Sequence, residues 1–102
     1  MTKFGEQRDS KFRTLRHSKI FDAQYEELNK KYDAKGSVEI VEWLVCQNPY
    51  RFPMIRNNYR IAETVESIQC PALRILFLVV NDDLIQMCFI EVQSIEELDE
   101  IF

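Results

Sequence analysis

Residues 73–92 read LRILFLVVNDDLIQMCFIEV, and this stretch decides the fold. Leu73 to Val80 is almost continuously apolar and rich in branched residues, which is typical of a central strand covered on both faces. Asn81-Asp82-Asp83 is a tight-turn sequence, and Leu84 to Val92 has the composition of a returning strand. The stretch therefore predicts a β-hairpin at the centre of the protein.

Two further strands are predicted outside this hairpin. Over Tyr59 to Val65, alternation places apolar residues on one face and Arg60 on the other. Phe12 to Leu15 alternates in the same way and predicts a short first strand at a sheet edge, where charged side chains are tolerated.

Two amphipathic helices are predicted between the first strand and the rest of the sheet. Ser18 can cap the first, and apolar residues then recur at helical spacing: Phe21, Tyr25, Leu28 and Tyr32. Ser37 can cap the second, whose apolar residues are Val38, Val41, Leu44 and Val45. Asn48-Pro49 ends that helix, and Pro53 makes residues 48 to 57 an irregular surface segment. The fold class predicted is α+β, with a short N-terminal strand and a two-helix hairpin packed on an antiparallel β-meander.

The length and composition are those of a single globular domain over residues 1–102. The chain has 102 residues, of which 46% are hydrophobic and 29% charged, and no apolar run approaches the roughly 20 residues of a membrane span. Residues 1–16 carry no secretory signal, so a cytoplasmic protein is expected. Residues 1–10 are interpreted as a flexible lead-in, and residues 94–102 as an acidic C-terminal helix or tail.

Charge is divided unevenly along the chain. The net charge is −4, with +4 over residues 1–60 and −8 over residues 61–102. An acidic protein is a poor non-specific binder of nucleic acid, but a basic surface built from the first half could attract phosphate.

Most kinds of catalytic and cofactor site are not supported by the residue inventory. Cys46, Cys70 and Cys88 form no Cys-x-x-Cys pair, so neither a disulfide framework nor a zinc site is expected. They are interpreted as small buried hydrophobic residues. The single histidine, His17, adjoins a helix cap and is given a structural or solvent-facing role. With two glycines there is no phosphate-binding loop, and no cofactor or metal is expected.

Arg60 and Arg74 lie on neighbouring predicted strands. If their faces coincide, two guanidinium groups flank one groove that suits an anion. The alternative is a structural ion pair, with Glu63 or the acidic tail as partner, because an arginine among apolar strand residues has to pair or reach water. On periodicity alone, the ion pair is favoured.

The order of the elements, together with Tyr59-Arg60-Ile61 and residues 73–77 leading into Asn81-Asp82-Asp83, resembles the RelE/ParE superfamily of bacterial toxins from about Phe12 to Val92. RelE-like members cut messenger RNA on the ribosome, so the resemblance implies an endoribonuclease toxin of a type II toxin-antitoxin pair with an RNA-facing concave sheet. It implies a cognate antitoxin, the ribosome and messenger RNA as partners.

Site residues follow from the resemblance by position. Arg60 and Arg74 match two catalytic cations that hold the scissile phosphate, and RNA binding is assigned to Arg51 and Arg56. No residue matches the general acid or base. A further hypothesis is that residues 95–102 cover Arg60 and Arg74.

Two other functions stay open. One is a non-catalytic binding module on the same fold, either a ParE-like topoisomerase inhibitor or a decayed toxin kept for its partner. The other is a structural protein that forms a homodimer through Leu76, Leu78 and Ile90.

Overall fold

The computed structural model describes residues 12–93, and they form an α+β fold of two helices on one five-stranded mixed sheet. The predicted fold class is therefore confirmed. The helices are α1 (Lys19–Lys31) and α2 (Lys35–Gln47), and a short 3-10 helix covers Pro49–Arg51. The strands are β1 (Thr14–His17), β2 (Met54–Arg56), β3 (Tyr59–Glu63), β4 (Leu73–Asn81) and β5 (Leu84–Val92).

The strand order across the sheet is β1-β5-β4-β3-β2. β1 runs parallel to β5 at one edge, and all other neighbouring strands are antiparallel. The chain from β1 to β5 runs through both helices and through β2, β3 and β4, and a parallel pair needs a long connection because a tight turn can join antiparallel strands only. The hairpin predicted over residues 73–92 is β4–β5, and the first strand lies at an edge as expected.

The cap predicted for α1 is confirmed, whereas the cap predicted for α2 is not. The Ser18 hydroxyl accepts a hydrogen bond from the Phe21 amide at 3.0 Å and caps α1. Ala34 occupies the capping position of α2, so Ser37 lies inside the first turn and the cap predicted there is wrong. The helix starts earlier because the Ala34 carbonyl already accepts from the Val38 amide at 3.0 Å, and the Asn29 side chain accepts from the Ala34 amide at 3.3 Å.

The segment predicted as irregular, residues 48 to 57, contains more order than its two prolines indicate. The Asn48 side chain accepts from the Tyr50 amide and starts the 3-10 helix, and β2 then pairs with β3. Asn58 adopts a φ of 67° in the two-residue turn between them, a left-handed conformation that asparagine tolerates.

The core lies between the helices and one face of the sheet. Its fully buried helix residues include Phe21, Val38 and Val45. On β4 only alternate residues are buried, so the prediction that this strand is covered on both faces is wrong for residues 12–93. The helix-covered side is called the inner face below, and the opposite side the outer face.

The described cysteines are free thiols, with Cys46 and Cys70 buried and Cys88 half-buried. Neither helix of the described part of the chain is long and apolar enough to cross a membrane. The predicted C-terminal helix, residues 94–102, and the lead-in, residues 1–10, lie outside the described residues.

Candidate functional site

Arg60 and Arg74 lie on opposite faces of the sheet. In the β3–β4 register, Arg60 pairs with Phe77, and Glu63 pairs with Arg74. Directly paired residues share a face and neighbours along a strand alternate. Arg60 therefore shares the inner face with the fully buried Phe77, whereas Arg74, three residues from Phe77, is on the outer face. The expectation that both guanidinium groups flank one groove is wrong.

The Arg60 guanidinium holds an irregular segment of the chain against the sheet. Its Nη1 donates to the carbonyl of Phe52 at 2.7 Å and to that of Tyr50 at 3.4 Å. Its Nη2 contacts the Met54 sulfur at 3.8 Å, and the guanidinium carbon lies 5.4 Å from the centroid of the Tyr50 ring. Phe52 in turn packs edge-on against Phe77. Arg60 thus connects the 3-10 helix and β2 to the core.

Arg74 forms the structural ion pair that was the alternative on sequence grounds. Its Nε lies 3.7 Å from a Glu63 carboxylate oxygen, and its Nη1 donates to Glu91 at 3.3 Å. The register places Arg74 between these two carboxylates in one row across β3, β4 and β5. Two carboxylates against one guanidinium leave this row net negative, so an incoming phosphate would meet repulsion as well as attraction.

The two predicted RNA-binding arginines are exposed. Arg51 is in the 3-10 helix and Arg56 ends β2, and neither side chain forms a hydrogen bond or ion pair with another residue among 12–93. Arg56 pairs with Tyr59 and so belongs to the outer face. These two cations, unlike Arg60 and Arg74, are available to a binding partner.

A cluster that the sequence did not reveal joins both halves of the chain beside the β4–β5 turn. Tyr50 donates to the Asp82 carboxylate at 3.1 Å. The Arg13 guanidinium lies 5.5 Å from the Tyr50 ring centroid and 3.3 Å from the same carboxylate. Burial and then the Asp82 carboxylate raise the pKa of the Tyr50 hydroxyl above 10.0. No local signal could have revealed it, because Arg13 and Asp82 are 69 positions apart.

His17 has the structural role expected for it. One ring nitrogen lies 2.8 Å from Asp22 on α1 and the other 2.6 Å from Glu42 on α2, while the ring packs 4.6 Å from that of Phe21. The side chain therefore links β1 to both helices.

The outer face presents three rows of side chains across the strands, each read from the register. The basic row runs Arg16, Gln86, Leu78, Tyr59, Arg56. The apolar row is Phe89, Leu76, Ile61, and the acidic row is Glu91, Arg74, Glu63. Phe89 is 37% exposed, while Ile61 and Leu76 are half-buried.

Of the three residues predicted for a dimer interface, two are on this face. Leu76 and Leu78 lie in the apolar and basic rows, whereas Ile90 is 2% exposed in the core. The assignment of Ile90 to an interface is therefore wrong. A β-bulge between Leu76 and Phe77 shifts the β5 register and turns Phe89, not Ile90, outward.

Residues 12–93 contain no cluster of three or more His, Cys, Asp or Glu side chains able to hold a metal ion.

Comparison of the chain with protein-family models, curated proteins and solved structures finds no match.

Proposed function

We propose that this chain is a non-catalytic binding module of the RelE/ParE type, which acts in the cytoplasm and recognises a protein through its outer face. The observation that carries the proposal is the placement of the two candidate catalytic arginines. Arg60 and Arg74 lie on opposite faces, so they cannot hold the same phosphate. Each is also already bound within the chain.

The composition of the outer face favours a protein partner over RNA. Its apolar row contains a phenylalanine, a leucine and an isoleucine, and aromatic and aliphatic residues in the centre of a patch with charges at the rim are typical of protein interfaces. RNA binding instead calls for an excess of cations. The acidic row supplies two carboxylates for one guanidinium.

Cell-free translation tests whether the module is catalytic. Purified chain added to a bacterial translation reaction should leave protein synthesis unchanged and the messenger RNA on ribosomes intact, as judged by primer extension. Arg74→Ala should behave like the wild type. Cleavage by the wild type that Arg74→Ala removes would overturn the proposal.

A RelE-type toxin that cleaves messenger RNA on the ribosome is the second candidate. It is favoured by the exposed Arg51 and Arg56, whose guanidinium groups are available to contact phosphates. On this alternative, induction arrests growth, a cognate antitoxin restores it, and Arg51→Gln with Arg56→Gln relieves the arrest. Lys30→Gln with Lys35→Gln, an equal loss of exposed charge at the α1–α2 link, serves as the matched control.

A further inference from the structure

We infer that the protein covering the outer face is a second copy of this chain, placed by a two-fold axis that runs across the strands along the apolar row. This inference rests on the proposed function, since it names the partner that the outer face binds.

The sequence of β4 indicates that its outer side is covered. Residues 73–80 are apolar at seven of eight positions, which is the pattern of a strand buried on both faces. Within residues 12–93, however, the helix residues of the core join only the inward side chains, such as Ile75 and Phe77. The outward Leu76 and Leu78 stay half-buried. A covering surface of matching apolar character would account for this pattern.

Charge decides the orientation of the two copies. A rotation about the apolar row reverses the strand direction, so the basic row of each copy lies over the acidic row of the other. Arg16 is on the strand next to that of Glu91, and Arg56 is on the strand next to that of Glu63. Each arginine therefore lies about one strand spacing, roughly 4.8 Å, to the side of a carboxylate in the facing copy. A long arginine side chain spans that offset.

The other two-fold arrangement is disfavoured by the same charges. An axis along the central strand β4 exchanges the two edges of the sheet and keeps each row over itself. Arg16 then faces Arg56, and Glu91 faces Glu63, so like charges meet at both ends. Like-charge contacts across an interface suppress that pairing.

The size of the outer face is that of a weak or transient dimer. From β1 to β5 the strands have 4, 3, 5, 9 and 9 residues, and each strand residue covers about 3.3 Å by 4.8 Å of the sheet. The flat area is thus roughly 475 Å² on each copy, or about 950 Å² in total, which is in the range of weak, transient complexes.

Leu76 lies on the proposed axis, where it would meet its own counterpart. Leu76→Glu places two carboxylates together in the centre of the interface and should give a monomer by sedimentation equilibrium. Ile40→Glu adds the same charge to α2, at a side chain that is 64% exposed, and should remain dimeric. Circular dichroism shows whether each variant is folded.

Arg56→Glu tests the orientation with a change that leaves the core untouched. The symmetry repeats each contact, so two attractions become two repulsions, and the dissociation constant should rise at least about tenfold. Adding Glu63→Gln removes the opposing carboxylate and should recover part of that loss. Within one copy these side chains are separated by two rows, about 13 Å along the strands. Non-additive effects of the two substitutions on the dissociation constant would therefore indicate a contact between the two copies.

Three results would overturn the inference. They are a wild type that stays monomeric up to its solubility limit, a dimer that survives Leu76→Glu, and a dimer whose affinity does not change in Arg56→Glu. A wild type that stays monomeric and leaves messenger RNA intact would contradict the dimer but not the proposed function. A chain that cleaves messenger RNA overturns the proposed function whatever its mass in solution.

Discussion

The Arg60 side chain donates to two backbone carbonyls of residues 50–52 and contacts the Tyr50 ring. Its Nε is buried, with no hydrogen-bond partner among the described residues. An arginine so placed is not presented to a ligand. It stabilises the 3-10 helix and β2, and within residues 12–93 β2 pairs with β3 alone.

Replacing Arg60 should therefore destabilise the fold. Arg60→Met keeps the length of the side chain but loses the hydrogen bonds, and the free energy of unfolding should fall by about 1–3 kcal/mol. Arg60→Lys should restore little, because one ammonium cannot reproduce the fork of guanidinium donors. Urea unfolding measures both changes.

Arg51→Met is the matched control, since Arg51 is exposed and its side chain forms no hydrogen bond or ion pair with another described residue. Its stability should stay within about 0.5 kcal/mol of the wild type. Equal effects at the two positions would contradict a structural role for Arg60.

Alkaline pH should weaken the fold through its thiols and phenols. Burial raises the pKa of the Cys46, Cys70 and Cys88 thiols above 9.0, and that of the Tyr25 hydroxyl above 10.0. Above these values the folded chain holds protons that the unfolded chain has released. The stability from these groups is complete below about pH 8 and is lost as the pH rises through the folded-state pKa values.

Urea unfolding at about pH 7, 8, 9 and 10 measures this dependence. The free energy of unfolding should decline between pH 8 and 10, and iodoacetamide should label Cys46 slowly in the folded protein at pH 8 because little thiolate is present. Stability that stays constant between pH 8 and 10 would show that these groups have the same pKa values in the folded and unfolded chains.

At the residue scale, the ion pair of Arg74 could be predicted from the sequence, whereas the face of the sheet on which Arg60 lies could not. An arginine among apolar strand residues needs a carboxylate, and the predicted candidate Glu63 lies 3.7 Å from the Nε of Arg74. Whether Arg60 shares a face with Arg74 depends on which residue of β4 it pairs with. Alternation within one strand cannot supply that register, because a shift by one position exchanges the faces.

At the scale of elements, Ser18 connects the start of α1 to the sheet. Its hydroxyl oxygen caps the helix and donates its own proton to the Cys88 carbonyl at 3.1 Å. Ser18→Ala removes both bonds, and the free energy of unfolding should fall by about 1–2 kcal/mol in thermal or urea unfolding.

Ser37→Ala is the control for this cap. Ser37 was predicted to cap α2 but lies inside its first turn, where alanine is the better helix former. Its stability should be unchanged or slightly raised. A loss as large as that of Ser18→Ala would mean that α2 starts at Ser37.

The elements that could be predicted are those with strong local patterns. The β4–β5 hairpin combines two long apolar runs with a polar turn, and α1 combines a cap with a regular apolar stripe. β2 could not be predicted, since its three residues are all exposed and Pro53 precedes them. Its pairing depends on the turn at Asn58 and on the contacts of Arg60, neither of which is a property of β2 itself.

At the scale of the whole molecule, the two faces of the mixed sheet differ in the side chains that they carry. The inner face buries the core, while the outer face orders its charges into a basic and an acidic row on either side of apolar residues. The fold class followed from the order of elements along the chain. The basic, apolar and acidic rows could not be predicted in this way. Each row contains residues from three or more strands, and which residues share a row depends on the register of the strand pairs.

RNA affinity across a cycle of arginine variants tests the central claim, that Arg60 and Arg74 do not form one phosphate site. Fluorescence anisotropy of a labelled single-stranded RNA, at fixed salt, should be measured with the wild type, Arg60→Met, Arg74→Met and the double variant, each checked for folding. The account predicts weak binding by the wild type and, at most, small and additive effects of the two changes. Tight binding that either change alone abolishes, with the double variant no worse, would contradict it.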